Sequence, residues 1–371
     1  MTNGKSSADK PSINVDKAII NEVENIYNDI LKKKNPSLKM PLRSLNNVSF
    51  NPKIGYFELV GKEKTRTLTT STIKTFAQSL HMMELAKELI EKDDLATKRE
   101  AYYVSKNWED ARFHDQPESD TVMDDIEAML MVNRESLGFI PEEKGGAVSG
   151  KLFVIDKDQD TGKEIKIDCT KFGSGAYSIP SSVESLKFET EAKFILAIET
   201  SGMFQRLAKH NYWKKADCIL IAMGGVPTRA TRRFIRKLSD EKNLNVYVFC
   251  DNDPYGFMNI YRTLKVGSGN AAHINKYFCV PKARYMGITC EDVVKYKLPT
   301  HPLKDVDFKR IKDAMKNDPF VHAHNQWQDE LKLMEKMKVR AEQQALAKWG
   351  LNYVINTYLP EKLKHPESFL P

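Results

Sequence analysis

Three acidic residues stand where they could bind a divalent metal ion. Glu199 directly follows the apolar run 194–198. Asp251 directly follows a second apolar run, 246–250, and Asp253 stands two residues further on. Both runs are short, which predicts buried strands of a parallel sheet. Ligands of such sheets bind beyond the carboxyl ends of the strands, and the two aspartates, one residue apart, project to the same side. Because no His or Cys stands nearby, these oxygen ligands favour Mg²⁺. The pattern predicts a phosphoryl-transfer site.

The same acidic residues also allow a purely structural interpretation. Many Asp-x-Asp pairs only cap a helix, and Asp253 followed by Pro254 suits the start of one. Glu199, at the end of an earlier strand of the same sheet, favours the metal site. The glycine pair 224–225, at the end of the middle strand, favours it further, because glycines let a phosphate or a backbone approach closely.

A second candidate group is the segment Lys98-Arg99-Glu100-Ala101-Tyr102-Tyr103. A tyrosine pair on a helix is more often packing than chemistry. A phenol has a pKa of about 10, so a nucleophilic role at neutral pH requires a base or a nearby positive charge. Arg99 lies four residues before Tyr103, hence on the same face of a helix. It could lower the pKa of the phenol or brace a pentacoordinate phosphate.

The elements before residue 150 predict a helical domain. Three closely spaced helices followed by a strand indicate a winged-helix (CAP-like) or helix-turn-helix unit. The glycine-containing segment 142–146 predicts a turn or linker and a domain boundary. The predicted elements are a helix over 15–34, short strands within 46–70, a helix capped by Ser71 that ends near Lys92, helices over 97–107 and 121–134, and a strand over 150–155.

From residue 194 onward, strands and helices alternate cleanly. Repeated βαβ units give a parallel sheet with right-handed crossovers, so the fold class is α/β. The charged tail 327–349 predicts one long amphipathic helix. The predicted strands are 194–199, 218–223 and 246–251, and the predicted helices are 203–214, 228–239 and 255–265.

Composition excludes several classes of protein. The chain has 371 residues, enough for two domains, and no apolar run approaches the ~20 residues that span a bilayer. Five cysteines occur without a Cys-x-x-Cys pair, and the first ten residues lack an apolar signal core. A cytoplasmic protein without membrane contact is expected.

The net charge of +7 is modest, but its distribution is informative. Basic residues crowd the predicted helix that follows the glycine pair. A solvated helix face would explain them equally well, but the neighbouring carboxylates favour contact with a DNA backbone. These residues are Arg229, Arg232, Arg233, Arg236 and Lys237.

Taken together, these motifs resemble the A-subunit family of DNA topoisomerase VI, which includes the meiotic double-strand-break transesterase of eukaryotes. The resemblance rests on Arg-Glu-Ala-Tyr-Tyr at 99–103, on Glu199, and on Asp-Asn-Asp-Pro-Tyr-Gly at 251–256. The stretch 224–232 is similar to the family's loop after the second strand of its Toprim domain. Motifs of two separate domains stand in the family's order, and the similarity runs from about residue 70 to the end.

The resemblance implies a role for each motif. Tyr103 would attack a DNA phosphate and become joined to a 5′ end, with Arg99 beside it. Glu199, Asp251 and Asp253 would hold Mg²⁺ in a Rossmann-like Toprim domain. The domains expected are an N-terminal extension that could contact an ATPase subunit (1–70), a winged-helix DNA-binding domain carrying the tyrosine (71–148), and a Toprim domain with a helical C-terminal region (149–371).

Partners follow from the same resemblance. They are double-stranded DNA, a second copy of the chain, and a separate ATPase subunit, which is the B component of an A2B2 heterotetramer. Each active site would combine the tyrosine of one protomer with the carboxylates of the other. The sequence has no Gly-x-x-x-x-Gly-Lys-Ser/Thr loop for ATP, and the helix over 15–34 is the candidate contact with the ATPase subunit, although it could equally pack on its own domain.

Three other functions share part of this pattern. A stand-alone break-forming transesterase would use every residue named above. Another Toprim enzyme, a nuclease or primase, would need no tyrosine. A non-catalytic DNA-bridging protein of the winged-helix type would need neither the tyrosine nor the carboxylates.

Overall fold

The computed structural model describes residues 14–140 and 145–371. The first thirteen residues and most of the predicted linker at 142–146 therefore lie outside the described part. The chain forms two compact units, one from residues 1–42 with 61–142 and one from 43–60 with 143–371. This division differs from the three consecutive ranges expected. Residues 43–60 join the second unit because Phe57 is fully buried there, with its N–H donating to Val266 O and its carbonyl accepting from Asn275 Nδ2.

Helices make up much of both units. Short 3₁₀ turns occur between successive elements of the chain, and two π-helical segments occur at Gly256–Tyr261 and Val354–Tyr358. The α-helices of the described part are α1 (Val15–Leu31), α2 (Ile73–Lys92), α3 (Lys98–Val104), α4 (Gln116–Leu130), α5 (Ser201–Lys209), α6 (Tyr212–Ala216), α7 (Arg229–Lys242), α8 (Arg262–Lys265), α9 (Asn275–Phe278), α10 (Cys290–Lys295), α11 (Asp305–Asn317), α12 (Pro319–His322), α13 (Asn325–Met337) and α14 (Leu359–Lys362).

Strands form one large sheet and several small ones. Those of the described part are β1 (Ser37–Pro41), β2 (Val48–Asn51), β3 (Tyr56–Leu59), β4 (Glu63–Thr67), β5 (Ala96–Thr97), β6 (Phe139–Ile140), β7 (Ala147–Gly150), β8 (Phe153–Lys157), β9 (Glu164–Asp168), β10 (Tyr177–Ser178), β11 (Lys187–Glu189), β12 (Phe194–Ile198), β13 (Cys218–Ala222), β14 (Asn245–Phe249), β15 (Ala283–Gly287), β16 (His301–Pro302) and β17 (Val339–Arg340).

The first unit is helical, with the small pairs β1–β4 and β5–β6. The N-cap position of helix α2 is Thr72 instead of Ser71. The Thr72 hydroxyl bonds to the preceding turn and not to the helix, since it accepts from Thr69 N and donates to Thr67 O. Helix α4 begins five residues earlier than predicted, since the side chain of Asp115 accepts from Glu118 N and caps it. The Asp115 cap fixes where α4 begins.

The core of the first unit gathers around α2, α3 and α4. Met82, Met83, Phe113 and Met123 are fully buried there and share one apolar cluster with Ala101 of α3. Burial of this apolar surface is the main force that orients the short helix α3, which is too short to be stable alone. The buried residue on α3 therefore determines which of its side chains face outward.

The second unit contains a six-stranded sheet in the order β10-β7-β13-β12-β14-β15. Strands β13, β12, β14 and β15 are parallel, and β7 and β10 add an antiparallel edge. Every residue of β12 is buried: Ile195 and Ala197 point into one apolar cluster, and Leu196 and Ile198 into another. The sheet is thus covered on both faces, as its apolar runs predict.

The topology creates a crevice at β12. This strand pairs with β13 on one side and with β14 on the other, so that Ile198 lies opposite both Ala222 and Phe249. The chain leaves β12 toward β13 and later returns to its other side at β14. Such a point is where open α/β sheets bind ligands, beyond the carboxyl ends of the strands.

The predicted helix over 327–349 is wrong. Helix α13 ends at Met337, and Lys338 adopts a left-handed conformation with φ of 57°. The chain then extends, and the backbones of Asn252 and Ala341 donate to each other over 2.8 and 3.0 Å. Pairing with the segment after β14 thus overrides helix propensity. Similarly, the helix expected over 203–214 is broken at Asn211, which is also left-handed.

Aromatic side chains fill the core behind the sheet. Trp327 is fully buried, its ring centre lies 5.3–5.4 Å from those of Phe257, Tyr261 and Tyr285, and its indole N–H donates to Pro371 O. This cluster joins the last residues of the chain to the helix that follows β14. None of the described helices is long and apolar enough to cross a membrane.

Trp327→Ala should destabilise the second unit by about 3–5 kcal/mol, because it leaves a large cavity and an unpaired carbonyl. Trp349, whose side chain is 49% exposed, offers the matched control. Its alanine variant should cost less than about 1 kcal/mol. Chemical denaturation followed by tryptophan fluorescence measures both, and equal losses would contradict the packing described.

Candidate active site

The crevice beyond β12 and β14 brings together the predicted acidic residues. Glu199 is the first residue after β12, and its N–H donates to Phe249 O over 3.0 Å. Across the crevice, Asp251 N donates to Glu199 Oε2 over 2.9 Å. The adjacency of the two strands therefore places the side chain of Glu199 directly against the backbone of the Asp-x-Asp segment.

The two aspartates have different surroundings. Asp251 Oδ1 accepts from Gln343 N over 2.8 Å. Asp253 Oδ1 accepts from Gly256 N over 2.6 Å, which is the contact of a helix cap, and its Oδ2 lies 4.0 Å from Arg340 Nη1. One oxygen of Asp253 therefore caps the following helix, as the purely structural interpretation predicts.

Gly256 packs against all three acidic residues. A β-carbon added there would lie 2.8 Å from Asp251 O, 3.2 Å from Asp253 Oδ1 and 3.5 Å from Glu199 Oε2. The first distance is shorter than side-chain carbons tolerate. The helix after Asp253 therefore approaches the carboxylates closely because its third residue has no side chain.

Burial is the largest cause of a raised pKa in all three carboxyl groups. Burial, followed by the charge of Asp251, raises the pKa of Glu199 to about 8. Burial raises the pKa of Asp251 to about 6, against the opposing hydrogen bond from Gln343 N. The pKa of Asp253 is also raised by burial, and the Arg340 guanidinium opposes that shift. The crevice thus disfavours the charged form of each carboxyl group.

In the described part of the chain, no three His, Cys, Asp or Glu side chains converge tightly enough to hold one metal ion by themselves. The hydrogen bonds explain this, since one oxygen of each carboxylate already accepts a backbone N–H. Mg²⁺ is typically bound through one or two carboxylates, with waters and substrate phosphates completing the shell. Hard oxygen donors with raised pKa values therefore fit this ion.

Two residues of the crevice, Arg340 and Gln343, were missed by sequence reasoning. Both lie within the tail that was expected to be helical. Neither residue belongs to a recognisable sequence motif. Both stand about 90 positions after Asp251, so no local sequence pattern connects them with the crevice. The break in that helix, which brings them to the crevice, depends on tertiary pairing with Asn252.

The tyrosine pair lies on α3 in the first unit. Thr97 and Glu100 form a reciprocal capping box at the start of this helix. Tyr102 is engaged: its hydroxyl donates to His114 O over 3.3 Å, and Lys106 Nζ lies 4.0 Å from its ring centre. Tyr103 is 57% exposed, and Arg99 on the same helical face is exposed as well. Of the two phenols, Tyr103 is the one presented to solvent.

The basic residues of α7 mostly serve the second unit itself. Arg233 makes a two-pronged ion pair with Glu184, with both nitrogen–oxygen distances 2.6 Å. Arg236 Nη1 donates to Cys279 O, and Lys237 Nζ donates to Leu186 O. The expected DNA-facing row is therefore in large part a set of internal contacts.

The other two arginines of this row lie nearer the start of α7. The guanidinium carbons of Arg229 and Arg232 lie 5.7 and 5.6 Å from the ring centre of Phe278. Both side chains are partly exposed. They follow the loop of Gly224 and Gly225, where φ values of 72° and 91° require glycine and where Gly225 N donates to Glu199 O.

Comparison with known proteins follows the same division of the chain. The model of the Toprim domain of the topoisomerase 6 A-subunit/Spo11 family matches residues 194–363, which include strands β12 to β15 and the segment with Gln343. Residues 142–192 match the "all-beta domain in DNA topoisomerase VI alpha subunit", and residues 74–139 match the "type IIB DNA topoisomerase" model.

Similarity to curated proteins extends over nearly the whole chain. The A subunit of a type 2 DNA topoisomerase 6 from Methanocaldococcus jannaschii is 55% identical over 98% of both chains. That of Methanothermobacter thermautotrophicus is 37% identical over 92% of this chain and 95% of its own, and that of Pyrococcus abyssi is 34% identical over 91% of both. The chain belongs to the topoisomerase VI A-subunit family.

Membership in the topoisomerase VI A-subunit family identifies the activity. The chain is the DNA-cleaving subunit of a type II DNA topoisomerase, an isomerase, and its second unit contains a Toprim domain. The crevice at β12 and β14 lies in the region matched by the Toprim model, and α3 lies in the region matched by the type IIB model.

Gly256→Ala should lower DNA cleavage at least about tenfold, because displacing a carboxylate by even 1 Å costs of that order or more. Its β-carbon cannot fit without moving Asp251 or Asp253. Gly202→Ala is the matched control, since a β-carbon there meets nothing within 4 Å. Plasmid cleavage by the assembled enzyme measures both, and normal cleavage by the Gly256 variant would show that the carboxylates need not keep this arrangement.

Proposed function

We propose that the chain makes a transient double-strand break in DNA through Tyr103, as part of an ATP-dependent topoisomerase that passes one duplex through another. The observation that carries this proposal is the contrast between the two tyrosines. Tyr102 is tied to His114 O, whereas Tyr103 stands exposed on the face of α3 that also presents Arg99. An attacking phenol must be accessible to a phosphorus atom, and Tyr103 meets that requirement.

The reaction is a reversible exchange of phosphodiester bonds. The Tyr103 oxygen attacks phosphorus, its proton leaves to solvent or a nearby base, and a phosphotyrosine bond to the 5′ end forms. The bond to the 3′ oxygen breaks, and that oxygen takes up a proton. The reverse attack by the 3′ hydroxyl reseals the strand, so no energy-rich cofactor is consumed in cleavage. Arg99 would offset the negative charge that develops on the phosphate.

Mg²⁺ suits the Toprim carboxylates. Glu199 and Asp251 would hold it, and Asp253, which caps the following helix, would complete the acidic shell. When bound, the ion would supply positive charge to a phosphate oxygen in the transition state. The protein itself contributes the arrangement: Glu199 is placed by the end of β12, and Asp251 is held by Gln343 N.

The family resemblance implies that the first unit binds DNA as a winged-helix module. Binding of this kind would place α3 against the duplex. In the second unit, the partly exposed Arg229 and Arg232 near the start of α7 would contact phosphates. Contacts of this kind fix position and not sequence, so we expect binding with little sequence preference.

A double-strand break requires two copies of the chain, one tyrosine for each strand. We therefore propose a homodimer in which Tyr103 of one protomer acts with the carboxylates of the other, as family members are organised. Strand passage also needs an ATPase, and the sequence holds no nucleotide-binding loop of the Gly-x-x-x-x-Gly-Lys-Ser/Thr type. An A2B2 complex, in which the B component is an ATPase, meets that need.

Helix α1 provides a surface for the ATPase subunit. Its buried residues Ile19 and Ile26 pack in the first unit, as the intradomain interpretation expected. A neighbouring stripe at helical spacing remains exposed, and apolar stripes of this kind typically mark interaction sites. The stripe consists of Ile20, Val23, Tyr27, Ile30 and Leu31, with exposed fractions of 36% to 61%.

Tyr103→Phe should abolish the covalent protein–DNA adduct, because the attacking oxygen is removed. Tyr102→Phe should retain it, and this variant is the matched control, since it removes only the hydrogen bond to His114 O. Adducts are detected as DNA ends that remain protein-linked after denaturation. The reverse pattern would assign the nucleophile to the other ring.

The same assay separates the alternative functions. A nuclease or primase would cut or copy DNA without an adduct. A stand-alone transesterase would form the adduct but would not relax supercoiled plasmid when ATP and the ATPase subunit are added. Asp251→Ala should lose cleavage and keep most DNA binding, whereas a bridging protein would show no cleavage to lose.

The double substitution Tyr27→Ser and Ile30→Ser should weaken binding to the ATPase subunit by a factor of at least about ten, since it removes two exposed anchors from the stripe. Asn21→Ser with Asn25→Ser, two exposed residues on the polar side of the same helix, is the matched control. Calorimetric titration of the ATPase subunit measures both pairs. Unchanged affinity of the first pair would place the contact elsewhere.

A further inference from the structure

Gln343 is a fully buried amide whose hydrogen bonds join three parts of the Toprim site. Its side-chain Nε2 donates to Phe249 O over 2.6 Å, and its Oε1 accepts from Thr200 Oγ1 over 3.0 Å. Its backbone N donates to Asp251 Oδ1 over 2.8 Å. The side chain thus bonds to the ends of both β12 and β14, while the backbone bonds to a carboxylate between them.

The segment that carries Gln343 is fixed to the site at a second place. Two residues earlier, Ala341 exchanges both backbone hydrogen bonds with Asn252, which lies between the two aspartates. Asn252 is itself fully buried, and its Nδ2 donates to Ile288 O. Residues 341–343 therefore hold the Asp-x-Asp segment along its length.

The geometry distinguishes positioning from direct contact with metal or DNA. The Gln343 side chain has no exposed surface, and its carbonyl oxygen and one amide hydrogen are already used within the protein. Gln343 contacts the acidic site through its backbone N–H, which donates to one oxygen of Asp251. That bond fixes the rotation of the carboxylate and leaves the other oxygen as the one to face a cation.

We propose that Gln343 is a positioning residue for the divalent-metal site: it orients Asp251 through its own backbone N–H, which its buried side chain holds in place. This inference rests on the proposed function, in which Glu199 and Asp251 bind Mg²⁺. It extends that function to a residue distant in sequence that touches neither metal nor DNA.

The test compares Gln343→Ala and Gln343→Met with the wild-type protein. The methionine variant keeps the side-chain volume while removing both hydrogen bonds, which limits disturbance of the core. Gln344→Ala is the matched control, because Gln344 is the exposed neighbour. Calorimetry of the full-length chain with MgCl₂ measures metal affinity, and the complex with the ATPase subunit measures how cleavage depends on Mg²⁺ concentration.

Loss of a residue that orients a metal ligand typically weakens metal binding about 10–100-fold. Both Gln343 variants should show this shift in dissociation constant and the same shift in the Mg²⁺ concentration for half-maximal cleavage. Cleavage at saturating Mg²⁺ should return close to the wild-type level, and Gln344→Ala should match the wild type throughout.

Every other outcome contradicts either the positioning role of Gln343 or the proposed metal site, and it shows which of the two fails. Wild-type affinity in folded Gln343 variants contradicts the positioning role. Unfolding of both variants in metal-free buffer also contradicts it, because Gln343 would then serve the fold and not the metal. If wild-type protein binds no Mg²⁺, or if Asp251→Asn binds it as well as wild type does, the metal site of the proposed function fails first.

Discussion

Burial of three neighbouring carboxyl groups is the constraint around which the acidic crevice is organised. Glu199, Asp251 and Asp253 lie partly buried beyond the ends of two neighbouring strands, and burial is the largest cause of the raised pKa of each. Arg340, 4.0 Å from Asp253, opposes the shift in the pKa of that residue. Charged carboxylates gathered in this way are costly for a fold unless they bind something positive. The crevice therefore favours either protonated carboxyl groups or a bound cation.

The rest of the second unit keeps these groups from moving apart. Strand β12 is buried along its whole length, so the backbone of Glu199 at the end of this strand is held in place. Gly256 lets the following helix close over the aspartates, and the extended segment 341–343 holds them from another side. In contrast, Tyr103 lies on a seven-residue helix with a single buried residue, Ala101, and is mostly exposed. The acidic crevice is held by contacts from several sides, and Tyr103 is presented to solvent.

Much of this could be predicted from sequence. The apolar runs identified β12, β13 and β14, and the acidic residues after them identified the site, because strand periodicity and burial are local properties. The order of the strands is not local: only the structure shows that β12 lies between β13 and β14, which places Glu199 beside Asp251. Gln343 could not be found either, since the tail has a helical pattern and only its pairing with Asn252 breaks it. The internal partners of the basic residues on α7 could not be predicted for a related reason, because Glu184 and the carbonyl of Cys279 are remote in sequence.

The central claim is that the raised pKa values of the crevice carboxyl groups reflect a site for a divalent cation. A buried carboxyl group with a pKa of about 8 is mostly protonated at pH 7, and a metal must displace that proton. Calorimetric titration of MgCl₂ at pH 7, repeated in two buffers of different ionisation enthalpy, counts the protons released. We expect binding accompanied by release of about one proton, and less release with Glu199→Gln. Absence of binding, or binding without proton release in the wild-type protein, would contradict the account.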